Sequence, residues 1–189
     1  MSKIRITKDP EERKKEILDA AIRVFSEKGY EKTSITDIAK SINIAQGLCY
    51  RYFASKEELF DAALEEYSNI LIENMMKGFT GNEQNLSDVI NKVTSAYESD
   101  ADVYYGLFHG KNNRKLHDQL LIRVCEKLSP IVKKYLQDAV ENKQIDLPDI
   151  TAATSFCVYG QLGILLDKNM SEAEKMKKIK LFLKFILNV

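Results

Sequence analysis

The sequence predicts an all-α chain, and three observations carry that expectation. Only three prolines and eight glycines interrupt 189 residues. No stretch alternates apolar and polar residues with the period of two that a half-buried strand requires. Apolar positions recur instead three and four apart along most of the chain, as the buried stripe of a helix does. A chain of this size can bury one core, or a small head and a larger body.

The first helix opens at Asp9-Pro10-Glu11-Glu12, with an Asp cap, Pro at the first helical position and acids facing the helix dipole. Leu18, Ala21, Ile22 and Phe25 give its stripe, widened by Ile17 and Val24, and Gly29 stops it. With Gly29 in a left-handed conformation after the cap, Tyr30 falls where it packs back on Phe25. The second helix is short: Ser34 and Asp37 form a capping box, and Ile35, Ile38, Ala39 and Ile42 make one apolar face. A tight turn at Asn43-Ile44 follows, Asn being one of the few side chains that tolerate positive φ. The third helix runs from about Ala45 to Phe53. A second capping box at Ser55 and Glu58 then opens a long helix through Leu59, Phe60, Ala63, Leu64, Tyr67, Ile70 and Leu71, ending near Gly78. Its roughly 22 residues span ~33 Å, enough to join a head to a body.

Further helices are expected over about 86–98, 101–109, 113–142, 148–167 and 171–188, with Pro130 kinking or splitting the third of these near Ser129. The expected division is a small head over residues 1–55 and a larger helical body over 56–189.

Charge alone names no partner, since 28 basic residues balance 28 acidic ones. Residues 1–60 hold 12 Lys/Arg and 10 Asp/Glu, net +2, and the remainder holds 16 and 18, net −2. Lys3, Arg5 and Lys8 make a short basic arm, either a plain tail or a minor-groove reader. Cys49, Cys125 and Cys157 are odd in number, widely spaced and without a C-x-x-C pair. With no leader peptide in view, this points to a reduced, cytoplasmic protein without disulfide framework or zinc site. No apolar run reaches the ~18 residues of a membrane span.

Residues 34–53 therefore read helix, tight turn, helix, the arrangement that commonly enters the major groove of double-stranded DNA. On the third helix Cys49, Tyr52 and Phe53 can face the head's core, while Gln46, Gly47, Tyr50 and Arg51 share the other side. Gln46 suits a bidentate pair with adenine, and Arg51 suits guanine or phosphate. Gly47 permits close approach of the helix, where a glycine with no such role would cost up to ~1 kcal/mol against Ala. Tyr50 offers a phenol to phosphate and a ring to a thymine methyl. Lys56, at the start of the fourth helix, joins a cation to a positive dipole end and reads as a phosphate clamp. Plainer readings stand beside these: Tyr50 and Tyr52 as core-edge aromatics, Thr36 as an idle surface residue, Lys56 as a solvated charge.

The run "ILDAAIRVFSEKGYEKTSITDIAKSINIAQGLCYRYFASKEELFDAAL" resembles the head of the tetracycline-repressor (TetR) family. Ala20-Ala21, Phe25, Gly29-Tyr30, Thr33, Ile38-Ala39, Gly47, Tyr50, Tyr52-Phe53 and Ser55 to Leu59 carry the resemblance, in order over about 50 residues. It implies a homodimeric, ligand-released transcriptional repressor with an all-α subunit of nine or ten helices. It also implies that Thr36, Gln46, Gly47, Tyr50, Tyr52 and Lys56 occupy DNA-contacting positions. Three positions depart from the family pattern: Ala45 replaces a capping Ser or Thr, Leu48 a small hydroxyl residue, and Cys49 a Leu.

The resemblance fades beyond about residue 65, and the body is read from its side chains. Tyr97, Tyr104, Tyr105 and Phe108, with His109, His117, Phe156 and Tyr159, are candidates for lining a mostly apolar pocket, or equally plain core. His109 and His117 lie eight apart, unlike the i, i+4 pair of a metal helix, so neither metal nor cofactor is expected. Ala153, Cys157, Gly160 and Ile164 trace a small-residue track, and Phe182, Phe185 and Ile186 belong to a terminal helix apolar on more than half its circumference. Both features point to a homodimer through a two-fold four-helix interface. The expected partners are thus double-stranded DNA, a small-molecule effector and a second copy, with no membrane. No G-x-S-x-G, phosphate loop or paired carboxylates argue for an enzyme. The rival reading is a helical dimeric interaction module or ligand sensor without DNA binding, which Ala45 and Leu48 make conceivable.

Overall fold

The computed structural model describes residues 8–80, 83, 85–98, 114–167 and 169–189, and among them every regular element is helical. The order is α1 (Pro10–Lys28), α2 (Ile35–Ser41), α3 (Gln46–Tyr52), α4 (Lys56–Met76), α5 (Leu86–Glu98), α6 (Arg114–Glu141), α7 (Ile150–Tyr159), α8 (Leu162–Leu165) and α9 (Glu172–Leu187). The helix expected over 101–109, together with Lys3 and Arg5, lies outside the described residues.

The chain divides into two compact units. The first runs to Tyr67 and also holds the opening of α6 as far as Leu120; the second takes α4 from Ser68, α5, and Leu121–Val189. The first unit thus continues past residue 55, because the first turns of α4 belong to its core.

In that unit, the Asp9 carboxylate accepts the Glu11 N–H at 2.9 Å and starts α1. The stripe Ile17, Leu18, Ala21, Ile22, Val24 and Phe25 is buried as the spacing predicts. Gly29 ends the helix at φ 83°, ψ 153°. That is not the left-handed α conformation expected but the extended region at positive φ, which is essentially glycine's alone. Tyr30 still folds back: its ring lies 5.6 Å from Phe25 and 4.5 Å from Phe60, and Phe60 meets Phe25 edge-on at 5.3 Å. Three aromatics from α1, the turn and α4 therefore make one cluster, each pair adding to its burial a geometry-dependent attraction of about 0.5–1.5 kcal/mol.

At the head of α2 both halves of the capping box are present, the Ser34 hydroxyl accepting the Asp37 N–H and the Asp37 carboxylate accepting the Ser34 N–H. The Lys28 ammonium, 2.8 Å from Asp37, ties the end of α1 to α2. That hydrogen bond first, then those from Ser34, holds the Asp37 carboxyl well below the usual range. A depressed carboxylate contributes fully above its ordinary pKa, and the contribution is lost as pH falls through the folded value. Ser34→Ala is expected to cost about 1 kcal/mol near neutrality. Urea unfolding followed from pH 5 down to pH 2 should show the parent losing stability more steeply than the variant.

In the second unit, Leu86, Val89, Ile90, Leu136, Ala139, Cys157 and Leu187 form the buried core, and α9 packs along α5 and against α8. Asp149 caps α7 through the N–H groups of Thr151 and Ala152. A capping box of Ser171 and Glu174 starts α9, and Asn188 ends it at φ 54°. Of the two alternatives at Pro130, splitting does not occur, and the expectation for 148–167 changes. Pro130 neither splits nor ends α6, which runs through it from Arg114 to Glu141; Pro130 and Glu126, four residues before it, are both exposed, so the carbonyl left without an N–H partner meets water. The single helix expected over 148–167 is two, parted at Gly160-Gln161. The Gln161 amide donates to the Cys157 carbonyl, supplying from a side chain the bond the next turn would have made.

Candidate nucleic-acid interface and apolar cavity

The turn between α2 and α3 is built by Asn43 at φ 56°. It allows the Ile44 N–H to return to the Ala39 carbonyl at 3.0 Å and the Asn43 N–H to the Lys40 carbonyl at 3.1 Å. Ala45 stands at the cap of α3 and supplies no side-chain bond, as its methyl dictates.

α3 is held from one side. Cys49 and Phe53 are buried and Tyr52 is half-buried, while Gln46, Gly47, Tyr50 and Arg51 are exposed, Tyr50 at 47%. Burial pushes the Cys49 thiol up, so the contact behind the helix is neutral. Leu48 and Thr36 are half-buried. A Cβ built on Gly47 would meet nothing within 4 Å. The exposed face thus offers an amide, a phenol, a guanidinium and a bare stretch of backbone, and no acidic residue lies on α3.

Lys56 occupies a different environment from the free cation that its sequence position suggests. Its Nζ donates to the Tyr30 carbonyl at 3.0 Å and the Thr33 carbonyl at 3.1 Å, and stands 4.2 Å above the Tyr30 ring. At the same helix start, Ser55 Oγ accepts the Glu58 N–H at 3.0 Å. The Glu58 carboxylate takes the Ala54 N–H at 2.6 Å, so the reciprocal half of the expected box falls one residue early.

The second unit contains an apolar cavity of about 110 Å³. Met75, Met76, Phe79, Leu86, Val89, Ile90, Val124, Leu128, Val132, Leu136, Leu165 and Leu183 make most of its wall. Two of its few polar groups have partners within the chain. Gln161 serves the Cys157 carbonyl and the Cys125 thiol donates to the Val158 carbonyl at 3.8 Å. Tyr135 is raised above its ordinary pKa by burial first and then by the nearby Glu83 carboxylate. Burial pushes the thiols of Cys125 and Cys157 to about 11, so both line the wall as neutral groups.

The sequence candidates for the body are placed differently from expectation. Tyr104, Tyr105, Phe108 and His109 lie outside the described residues, as do the side chains of Tyr97 and His117. Phe156, expected in the pocket, is 71% exposed, and Tyr159 is exposed beside it one turn along α7. Cys157, expected at a helix–helix surface, faces inward to the core and the cavity. The two assignments exchange because α7 carries no charged residue, and the hydroxyls of Thr154 and Ser155 turn back to carbonyls of their own helix, which leaves only a weak polar signal to set its rotation. Gly160 is exposed, and a Cβ there would collide with the Phe156 carbonyl oxygen of its own chain. Its smallness is therefore explained without a second helix. Ala153 and Ile164 are half-buried. On α9, Phe182, Phe185 and Ile186 are exposed, with Leu181 beside them at 70%, and the rings of Phe182 and Phe185 stack at 6.4 Å. The cavity wall escaped the sequence reading because aliphatic residues at helical spacing look alike whether they meet a neighbour or a void.

The sequence profile of the bacterial regulatory proteins of the tetR family matches residues 17–63. The biofilm operon icaADBC HTH-type negative transcriptional regulator IcaR of Staphylococcus epidermidis is 38% identical over 69 residues, 36% of this chain and 37% of that protein. The fatty acid metabolism regulator protein of Bacillus subtilis is 30% identical over 129 residues, 64% of this chain and 61% of its own length. These matches thus span less than two thirds of either relative. The chain also superposes on Salmonella enterica GusR with a TM-score of 0.70 at 20% identity, covering 96% of this chain and 98% of that one. The fatty acid degradation regulator FadR of Bacillus halodurans gives 0.70 at 19% identity over 94% and 96% of the two chains. At such identities the structural likeness establishes the fold, and it does so over nearly the full length. Among the described residues no helix is long and apolar enough to cross a membrane.

Proposed function

We propose that the chain, whose residues 17–63 match the profile of the bacterial regulatory proteins of the tetR family, is a member of that family and a sequence-specific DNA-binding transcriptional regulator. In this reading it is a repressor that a small apolar ligand releases from a palindromic operator. The observation that carries it is α3: a short helix fastened by Cys49 and Phe53 behind, with Gln46, Gly47, Tyr50 and Arg51 free in front. A major groove admits such a rod, and amide and guanidinium are the groups that read adenine and guanine there.

Two copies are needed to read two half-sites. We assign the exposed face of α7 and α9, with Phe156, Tyr159, Phe182 and Phe185, to the second copy. The effector belongs in the cavity of the second unit, and the fatty acids in the names of two similar proteins make an acyl chain the class of ligand to try first. An engineered cavity of about 150 Å³ holds benzene, so 110 Å³ takes a few carbons as it stands and a longer chain only if the wall opens. A ligand that prefers the state with the heads misplaced weakens DNA binding by that preference, commonly 1–3 kcal/mol.

The test is selection of duplexes from a random library, followed by anisotropy titration at rising salt. Affinity should fall steeply with salt. Tyr50→Ala and Gln46→Ala should each weaken binding by about tenfold or more, with Tm unchanged because both side chains are exposed. A folded dimer that enriches no duplex at low salt would sink the DNA-binding reading.

A further inference from the structure

Lys56 has two readings, phosphate clamp and internal brace, and its surroundings favour the second. The ammonium has three donor hydrogens, and two of them are directed at the Tyr30 and Thr33 carbonyls at 3.0 and 3.1 Å. The charge stands 4.2 Å over the Tyr30 ring, at the distance of a cation–π contact. The residue is half-buried, and the ring it covers is itself wedged against Phe25 and Phe60. To reach a phosphate, the side chain would have to give up these partners.

The positions of those partners give the contact a purpose. Thr33 immediately precedes the Ser34 cap of α2, and Lys56 is the first residue of α4. Between them lies the whole reading element: α2, the Asn43 turn and α3. The lysine therefore clips together the two ends of a loop of 23 residues by sequence separation. Thr33 is fixed from the other side as well, its hydroxyl donating to the Gly29 carbonyl at 2.8 Å.

We infer that Lys56 is a positioning residue, whose ammonium bridges the Tyr30 and Thr33 carbonyls to hold the entry of α2 and the start of α4 in register and so fixes how α3 is presented. The inference rests on the proposed DNA-binding reading, but it fails separately. If the parent protein binds no duplex, that reading fails; the brace is judged by what substitution does to folding and to salt dependence.

The experiment compares the parent with Lys56→Met, which keeps the apolar stem, and Lys56→Gln, which keeps an N–H donor without the charge. Melting and operator titrations over a salt series are run on the full chain. A lysine that neutralises a phosphate contributes about one unit to the slope of log affinity against log salt. The brace predicts a lower Tm and an affinity reduced about tenfold for Met, partial recovery of both for Gln, and an unchanged slope. A slope reduced by about one per subunit in either variant overturns the inference whatever the Tm. So does an unchanged Tm in Lys56→Met. Should the Met variant not fold, the Gln variant supplies the slope.

Discussion

Replacing Phe182 and Phe185 together by Asp is expected to convert a dimer into a monomer and to weaken operator binding about a hundredfold or more. Within one subunit the two rings contribute little, since they are 57% and 78% exposed and stack on each other. Leu181 and Ile186 extend the same exposed strip, while Met176, Ile179 and Leu187 occupy the opposite, buried side of α9. The helix thus carries two apolar faces, and only one is used by its own chain. A subunit that leaves such a strip in water gains by burying it against a copy of itself. Linking two reading heads makes the second binding event intramolecular, which raises avidity by about 10²–10⁴. Each Asp would carry a charge into the centre of that contact. Light scattering should report the parent as a dimer at micromolar concentration and the variant as a monomer with an unchanged melting temperature. A parent already monomeric, or a variant still dimeric, would reject the interface.

The head was readable residue by residue because its signals are local and directional. Asp9, Ser34 and Asn43 each specify a backbone conformation within three or four positions, and the structure uses all three as written. The face of α3 was readable because Cys49 and Phe53 sit four apart while the polar groups fill the remainder. Lys56 was not, since its partners are main-chain carbonyls 23 and 26 residues away. Carbonyls have no residue type, so no sequence pattern marks them. In the body, among the described residues, the periodicity placed α5, α6 and α9 but neither the break within 148–167 nor the rotation of α7. On α7 an error of one position, about 100°, exchanges Phe156 for Cys157 and so a surface for a cavity. Gly160 shows the same limit: smallness was read as room for a second helix, whereas the clearance needed is from the Phe156 carbonyl.

Gly47→Ala is expected to move stability and function in opposite directions. Nothing lies within 4 Å of the Cβ that the substitution would add, so the head has room for it. Gly47 has no positive φ to defend, and it sits in the first turns of α3, a helix that already lacks a side-chain cap. Alanine there should stabilise the head by up to about 1 kcal/mol, the difference in helix propensity. Judged by the free protein alone, the glycine is a defect. If the bare backbone serves close approach to a base edge or phosphate, the added methyl holds α3 away from the groove and lengthens every neighbouring contact. Affinity should then fall about tenfold or more, a loss on the scale of one good base contact. The two measurements, melting of the free head and titration of the selected operator, are independent, and each can fail by itself. A variant that melts higher and still binds as tightly would show that the groove never reaches this backbone. One that melts lower would mean that the space around Gly47 is already filled. Only a gain in Tm joined to a loss of affinity identifies the glycine as a place where folding free energy is given up for contact with DNA.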